Sequence, residues 1–93
     1  MTVKIVLIPT LSHCIETAAK AEYEKSLRQL LAEGNDRREL SERVEVLTRF
    51  LSTADFRKLR MESERYLLEG QQVKFLVYQE DGVIRYRMEM PGD

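Results

Sequence analysis

The sequence predicts an α+β fold in the order β-α-α-α-β-β: three helices packed on one face of a small, mostly antiparallel sheet that ends in a β-hairpin. Three observations predict it. Residues 3–8 are a short, β-branched apolar run stopped by Pro9. Through the middle of the chain, apolar residues recur at spacings of three and four. Near the C-terminus, apolar and polar residues alternate on either side of Asp81-Gly82.

The run Val3-Lys4-Ile5-Val6-Leu7-Ile8 reads as a strand buried on most of both faces, because it is nearly continuous rather than alternating. After it, Leu11, Ile15, Ala18, Ala19, Tyr23, Leu27, Leu30 and Leu31 mark an amphipathic helix. Thr10 or Ser12 is placed to cap its start, and Gly34 to end it at C′. At ~1.5 Å per residue such a helix is roughly 30 Å long. A second helix begins at Asp36, where Glu39 completes a capping-box spacing, and carries Leu40, Val44, Leu47, Phe50 and Leu51. Ser52-Thr53 interrupts it. The third helix, over residues 53–69, sets Phe56, Leu59, Ser63, Tyr66 and Leu67 on one side and stops at Gly70.

Asp81-Gly82 suits a two-residue type I′ turn, which needs positive φ at both positions. That turn dictates the register: Glu80 faces Val83, Tyr78 faces Arg85, Leu76 faces Arg87, and Lys74 faces Glu89. Val73, Phe75, Val77, Ile84, Tyr86, Met88 and Met90 then share an apolar side, and Lys74–Glu89 becomes an attractive cross-strand pair. A one-residue slip destroys both patterns. Two strands alone are marginal in water, so the apolar side must lie on the helices, with residues 3–8 added as a third strand.

At 93 residues the chain has the length of one domain, and no linker rich in Pro, Gly or Ser divides residues 1–93. A 43% apolar and 33% charged composition is that of an ordinary globular protein and argues against disorder. Lys and Arg (15) nearly balance Asp and Glu (16), so net charge cannot drive binding to nucleic acid or anionic lipid. A single cysteine makes no internal disulfide, which points to a reducing, cytoplasmic setting. No apolar run approaches the ~18 residues that span a bilayer, and residues 3–8 are too short for a signal-peptide core. No membrane association is expected.

Chemistry-bearing motifs are sparse. Cys14 sits after a strand, in the first turn of the first helix, where free N–H groups and the helix dipole favour a thiolate. His13 is badly placed to activate it, since adjacent helical residues point ~100° apart. With one His and one Cys, no metal site is expected, and no cofactor-binding loop is present. Most acids and bases lie at i, i+4, as in Arg60–Glu64 and Lys58–Glu62, and so solvate helix faces. Arg85 and Arg87 have no such explanation. They point outward on the hairpin beside Tyr78 and Leu76, and a Tyr–Arg–Leu–Arg cluster on an open sheet face can stack bases or grip a protein.

The order helix, short break, helix, hairpin resembles a winged helix-turn-helix at the level of topology. That resemblance implies nucleic-acid binding by the third helix through Arg57, Lys58, Arg60 and Arg65. Against it, the supposed wing tip is Glu80-Asp81, and the helix itself carries Glu62, Glu64 and Glu69. The expected role is therefore non-enzymatic: a small cytosolic protein acting through a protein partner or self-association, on Leu76, Tyr78, Arg85 and Arg87. The alternatives are the winged-helix reading and a thiol-dependent enzyme using Cys14.

Overall fold

The computed structural model describes residues 3–32 and 37–90. The elements run β1 (Lys4–Leu7), α1 (Ile15–Leu31), α2 (Arg37–Thr53), α3 (Phe56–Leu68), β2 (Lys74–Glu80) and β3 (Val83–Glu89). They form three helices and a three-stranded antiparallel sheet in the order β1-β2-β3, an α+β fold ending in a hairpin.

The hairpin has the register its turn dictates, with Glu80 opposite Val83, Tyr78 opposite Arg85 and Lys74 opposite Glu89. Asp81 at φ 52° and Gly82 at φ 77° supply the two positive angles of a type I′ turn. Arg49 of α2 donates a 2.7 Å hydrogen bond to the Gly82 carbonyl, tying the tip of the hairpin to the helical layer. Val73, Phe75 and Val77 are buried, with Ile84, Met88 and Met90 half-buried against the same core. Tyr86 lies on that side too, packing its ring edge-on to Phe50 at 6.3 Å while staying 41% exposed.

β1 corrects the expectation of a strand buried on both faces. It pairs with β2 alone, Ile5 opposite Val77 and Leu7 opposite Phe75, and so forms an edge of the sheet. Ile5 and Leu7 point into the core at 0% and 2% exposure, whereas Val6 and Ile8 are 47% and 48% exposed. With every helix on one side of the sheet, the alternate residues of an apolar strand have nothing to cover them.

The first helix also begins later than expected. Cys14 is its N-cap, and Leu11 lies in the preceding turn, exposed. The Thr10 hydroxyl accepts from the His13 N–H within that turn, so it cannot serve the helix. Gly34 and Asp36, expected to end α1 and begin α2, lie outside the described residues. Ser52 and Thr53 are not a break. They are the last residues of α2, their hydroxyls bonded back to the Thr48 and Arg49 carbonyls. The chain bends at Ala54-Asp55, where the Asp55 carboxylate accepts the Lys58 N–H and caps α3. α3 ends in bonds from Gly70 N–H to Leu67 O and from Gln71 N–H to Tyr66 O, with Gly70 at φ 80°.

One apolar core joins the layers. Ile15 and Ala19 of α1, Val46, Leu47 and Phe50 of α2, and Leu59 of α3 meet the inward side chains of β1 and β2. Phe50 stands edge-on to Phe56, ring centroids 5.4 Å apart, at the corner between α2 and α3.

Candidate functional site

With the helices on one side, strand alternation turns the other set of side chains to solvent. On β2 these are Lys74, Leu76, Tyr78 and Glu80; on β3 they are Val83, Arg85, Arg87 and Glu89. The four residues singled out from the sequence, Leu76, Tyr78, Arg85 and Arg87, do share this face: Tyr78 lies opposite Arg85 and Leu76 opposite Arg87. Leu76 and Tyr78 are half-buried and the two arginines exposed.

β1 extends the face in a way the hairpin pattern alone could not show. Its register sets Lys4 beside Tyr78 and Val6 beside Leu76. Two rows therefore cross the sheet: Lys4–Tyr78–Arg85, an aromatic ring between two cations, and Val6–Leu76–Arg87, an apolar strip with a cation at its end. A shallow concavity of about 220 Å³ on this face is bordered by Lys4, Leu76, Tyr78, Gln79, Glu80 and Arg87.

The charges on this face are unequal in freedom. Arg87 holds the Glu89 carboxylate at 2.7 Å, and Lys74 reaches the same carboxylate at 3.7 Å. Glu89 is thus occupied by two cations. Lys4 and Arg85 have no ion-pair partner among the described residues. The arrangement can receive carboxylates at Lys4 and Arg85 and apolar groups at Val6 and Leu76.

On α3, Arg57, Lys58, Arg60 and Arg65 are all exposed, but they do not form one basic stripe. Arg60 lies 3.8 Å from Glu64, and the Arg65 guanidinium sits 5.7 Å from the centroid of the Tyr66 ring. Arg57 and Lys58 border a depression shared with Asp55, Met61 and Glu62.

Cys14 sits at the start of α1, its sulfur 3.5 Å from the Thr17 hydroxyl. Thr17 holds the thiol below its ordinary range, first through that hydroxyl and then through its backbone N–H. Partial burial opposes this, and the Glu16 N–H and the Arg60 charge add smaller pulls downward. The adjoining crevice, bordered by Arg60, Ser63 and Leu67, has a volume of about 40 Å³. That is room for about one water, against the ~300–1,000 Å³ of sites that enclose a small molecule. Among the described residues, no group of three or more His, Cys, Asp or Glu is arranged to hold a metal ion. Nor is any helix among them long and apolar enough to cross a membrane.

Fold and face together define a small α+β protein with an uncovered sheet surface flanked by cations. A protein-family model matches residues 1–88, so the chain belongs to that family, which carries no named activity. An uncharacterized protein of Archaeoglobus fulgidus is 46% identical over 57 residues, covering 59% of this chain and 67% of the relative. No solved structure matches the chain.

Proposed function

We propose that this chain acts as a small, non-enzymatic, cytoplasmic interaction module, one domain over residues 1–93, whose open sheet face docks a protein partner. The Lys4–Tyr78–Arg85 row carries the reading: two cations without an ion-pair partner among the described residues flank a half-buried tyrosine on the face opposite the helices. Tyr and Arg supply much of the energy of protein interfaces, and free cations beside an apolar strip favour a partner that presents acidic and apolar side chains together. Leu76, Tyr78, Arg85 and Arg87 are the residues assigned to contact, with Lys4 and Val6 completing the surface.

The test is the double variant Arg85→Glu with Arg87→Glu. Both side chains are exposed, so folding stays intact by circular dichroism, and the proteins captured by the parent from native lysate are lost. A double variant that captures the same partners as the parent removes the face from consideration.

A second reading, nucleic-acid binding through α3, draws support from the exposure of Arg57, Lys58 and Arg65. It requires an affinity that falls steeply with salt. The interleaved Asp55, Glu62 and Glu64 weigh against it, since a phosphate backbone approaching this helix meets both signs of charge.

A further inference from the structure

We infer that the free edge of β1 pairs antiparallel with β1 of a second copy of this chain, in register about Val6, to make one continuous six-stranded sheet. The argument begins at the turn. In a two-residue hairpin the flanking residues, Glu80 and Val83, exchange both backbone hydrogen bonds, and bonding alternates along the ladder. Lys74, Leu76 and Tyr78 therefore direct their N–H and C=O groups toward β3, and Phe75 and Val77 direct theirs toward β1. Since Leu7 faces Phe75 and Ile5 faces Val77, these two β1 residues use their backbone groups on β2. Lys4 and Val6, and by continuation Ile8, present theirs to the open edge. Pro9 falls on the β2-facing parity, so its missing N–H takes nothing from that edge.

Antiparallel pairing of β1 with itself about Val6 then satisfies every one of these groups. Val6 meets Val6 of the second copy, and Lys4 meets Ile8. On the inward side Ile5 meets Leu7, apolar against apolar. No like charges oppose each other, and Val6 and Ile8, about half exposed in one chain, gain β-branched or aliphatic neighbours. The surface is self-complementary, as a two-fold interface must be. β3, at the other edge, is not: the register that overlaps all of Val83–Glu89 sets Arg85 against Arg87 of the second copy. The two-fold axis stands perpendicular to the sheet, so the helices of both copies lie on one side. The opposite side becomes a single surface carrying two Lys4–Tyr78–Arg85 rows.

Sedimentation equilibrium of the full chain over a wide concentration range tests this. The parent mass is expected to rise with concentration toward twice the 10.9 kDa of one chain. Val6→Pro removes a donor that points away from β2, so this variant keeps its circular dichroism and stays monomeric. Should that proline disturb folding, Val6→Lys and Val6→Glu decide: each is monomeric alone because like charges meet on the axis, and an equimolar mixture of the two restores the dimer. A parent monomeric at every concentration overturns the inference. So does a Val6→Lys variant that dimerises like the parent, or a Val6→Glu variant that dimerises more tightly alone, which places residue 6 opposite Lys4. Arg85→Glu with Arg87→Glu leaves the dimer unchanged, so failure of the docking face and failure of the edge pairing are separable.

Discussion

At Asp81 and Gly82 the backbone holds left-handed angles, and the two residues tolerate them for different reasons. Asp81 is among the side chains that visit φ 52° at modest cost, whereas Gly82 at φ 77° has no Cβ to clash with its own carbonyl. A methyl group at Gly82 meets nothing within 4 Å, so the whole cost of Gly82→Ala is conformational, about 1 kcal/mol. Urea denaturation is expected to show a lower midpoint with an unchanged slope. Cys14 offers a second test at this scale. Its folded pKa lies below that of a free thiol, so alkylation by iodoacetamide has its pH midpoint below that of the unfolded chain, and Thr17→Val moves that midpoint upward. The sign of the stability effect follows: a depressed acid stabilises the fold fully above its unfolded value, and this contribution is lost as pH falls through the folded value. A midpoint that Thr17→Val leaves unmoved refutes the assignment of Thr17 as the cause.

Between elements, Arg43 of α2 and Glu22 of α1 make a 2.7 Å ion pair, each side chain about three-quarters covered. It clamps the two long helices, and a double-mutant cycle with Arg43→Ala and Glu22→Ala is expected to return a coupling of about 1 kcal/mol. A coupling near zero makes the bridge a surface contact without consequence. This pair also shows where sequence reading stops. Spacing along α2 assigns Arg43 to Glu39, but the nearer acid in space lies on another helix. The hairpin was legible because Asp81-Gly82 admits one turn, and one turn admits one register. For β1 the run Ile5-Val6-Leu7-Ile8 is apolar at every position, so nothing local separates an edge strand from a central one. The outward placement of Arg85 and Arg87 could thus be read from the hairpin. The joining of Lys4 and Val6 to that face depends on partners seventy or more residues away in the chain. Ser26 and Val46 are buried for similar reasons. Ser26 is a small residue on the α1 face turned to α2, and Val46 extends the α2 stripe toward a core formed by other elements.

Across the whole molecule the buried apolar residues are unevenly distributed along the two long helices. α1 buries Ile15 and Ala19 near its start, and α2 buries Val46, Leu47 and Phe50 near its end. Both sets lie over the inward side chains of β1 and β2. Farther along, α1 from Lys25 to Leu31 fully buries Ser26 alone, and α2 from Arg37 to Val44 buries none of its side chains fully. The molecule is correspondingly elongated, 42 Å along one axis against 28 and 26 Å along the others. Local opening free energy follows buried apolar contact, so the two helices should not open as units. Native-state hydrogen exchange is expected to give the slowest amides at Ala18–Tyr23, Val46–Leu51 and Phe75–Val77. Those of Arg28–Leu31 and Leu40–Arg43 exchange through cheaper, local openings. Replacing Phe50 by Ala, which removes the side chain joining α2, α3 and β3, costs about 3–5 kcal/mol and collapses protection in the first group. The second group, already opening locally, responds less. If both groups lose protection by the same factor, the helices open as single units and the division of the molecule into a sheet-backed core and a looser helical end is wrong.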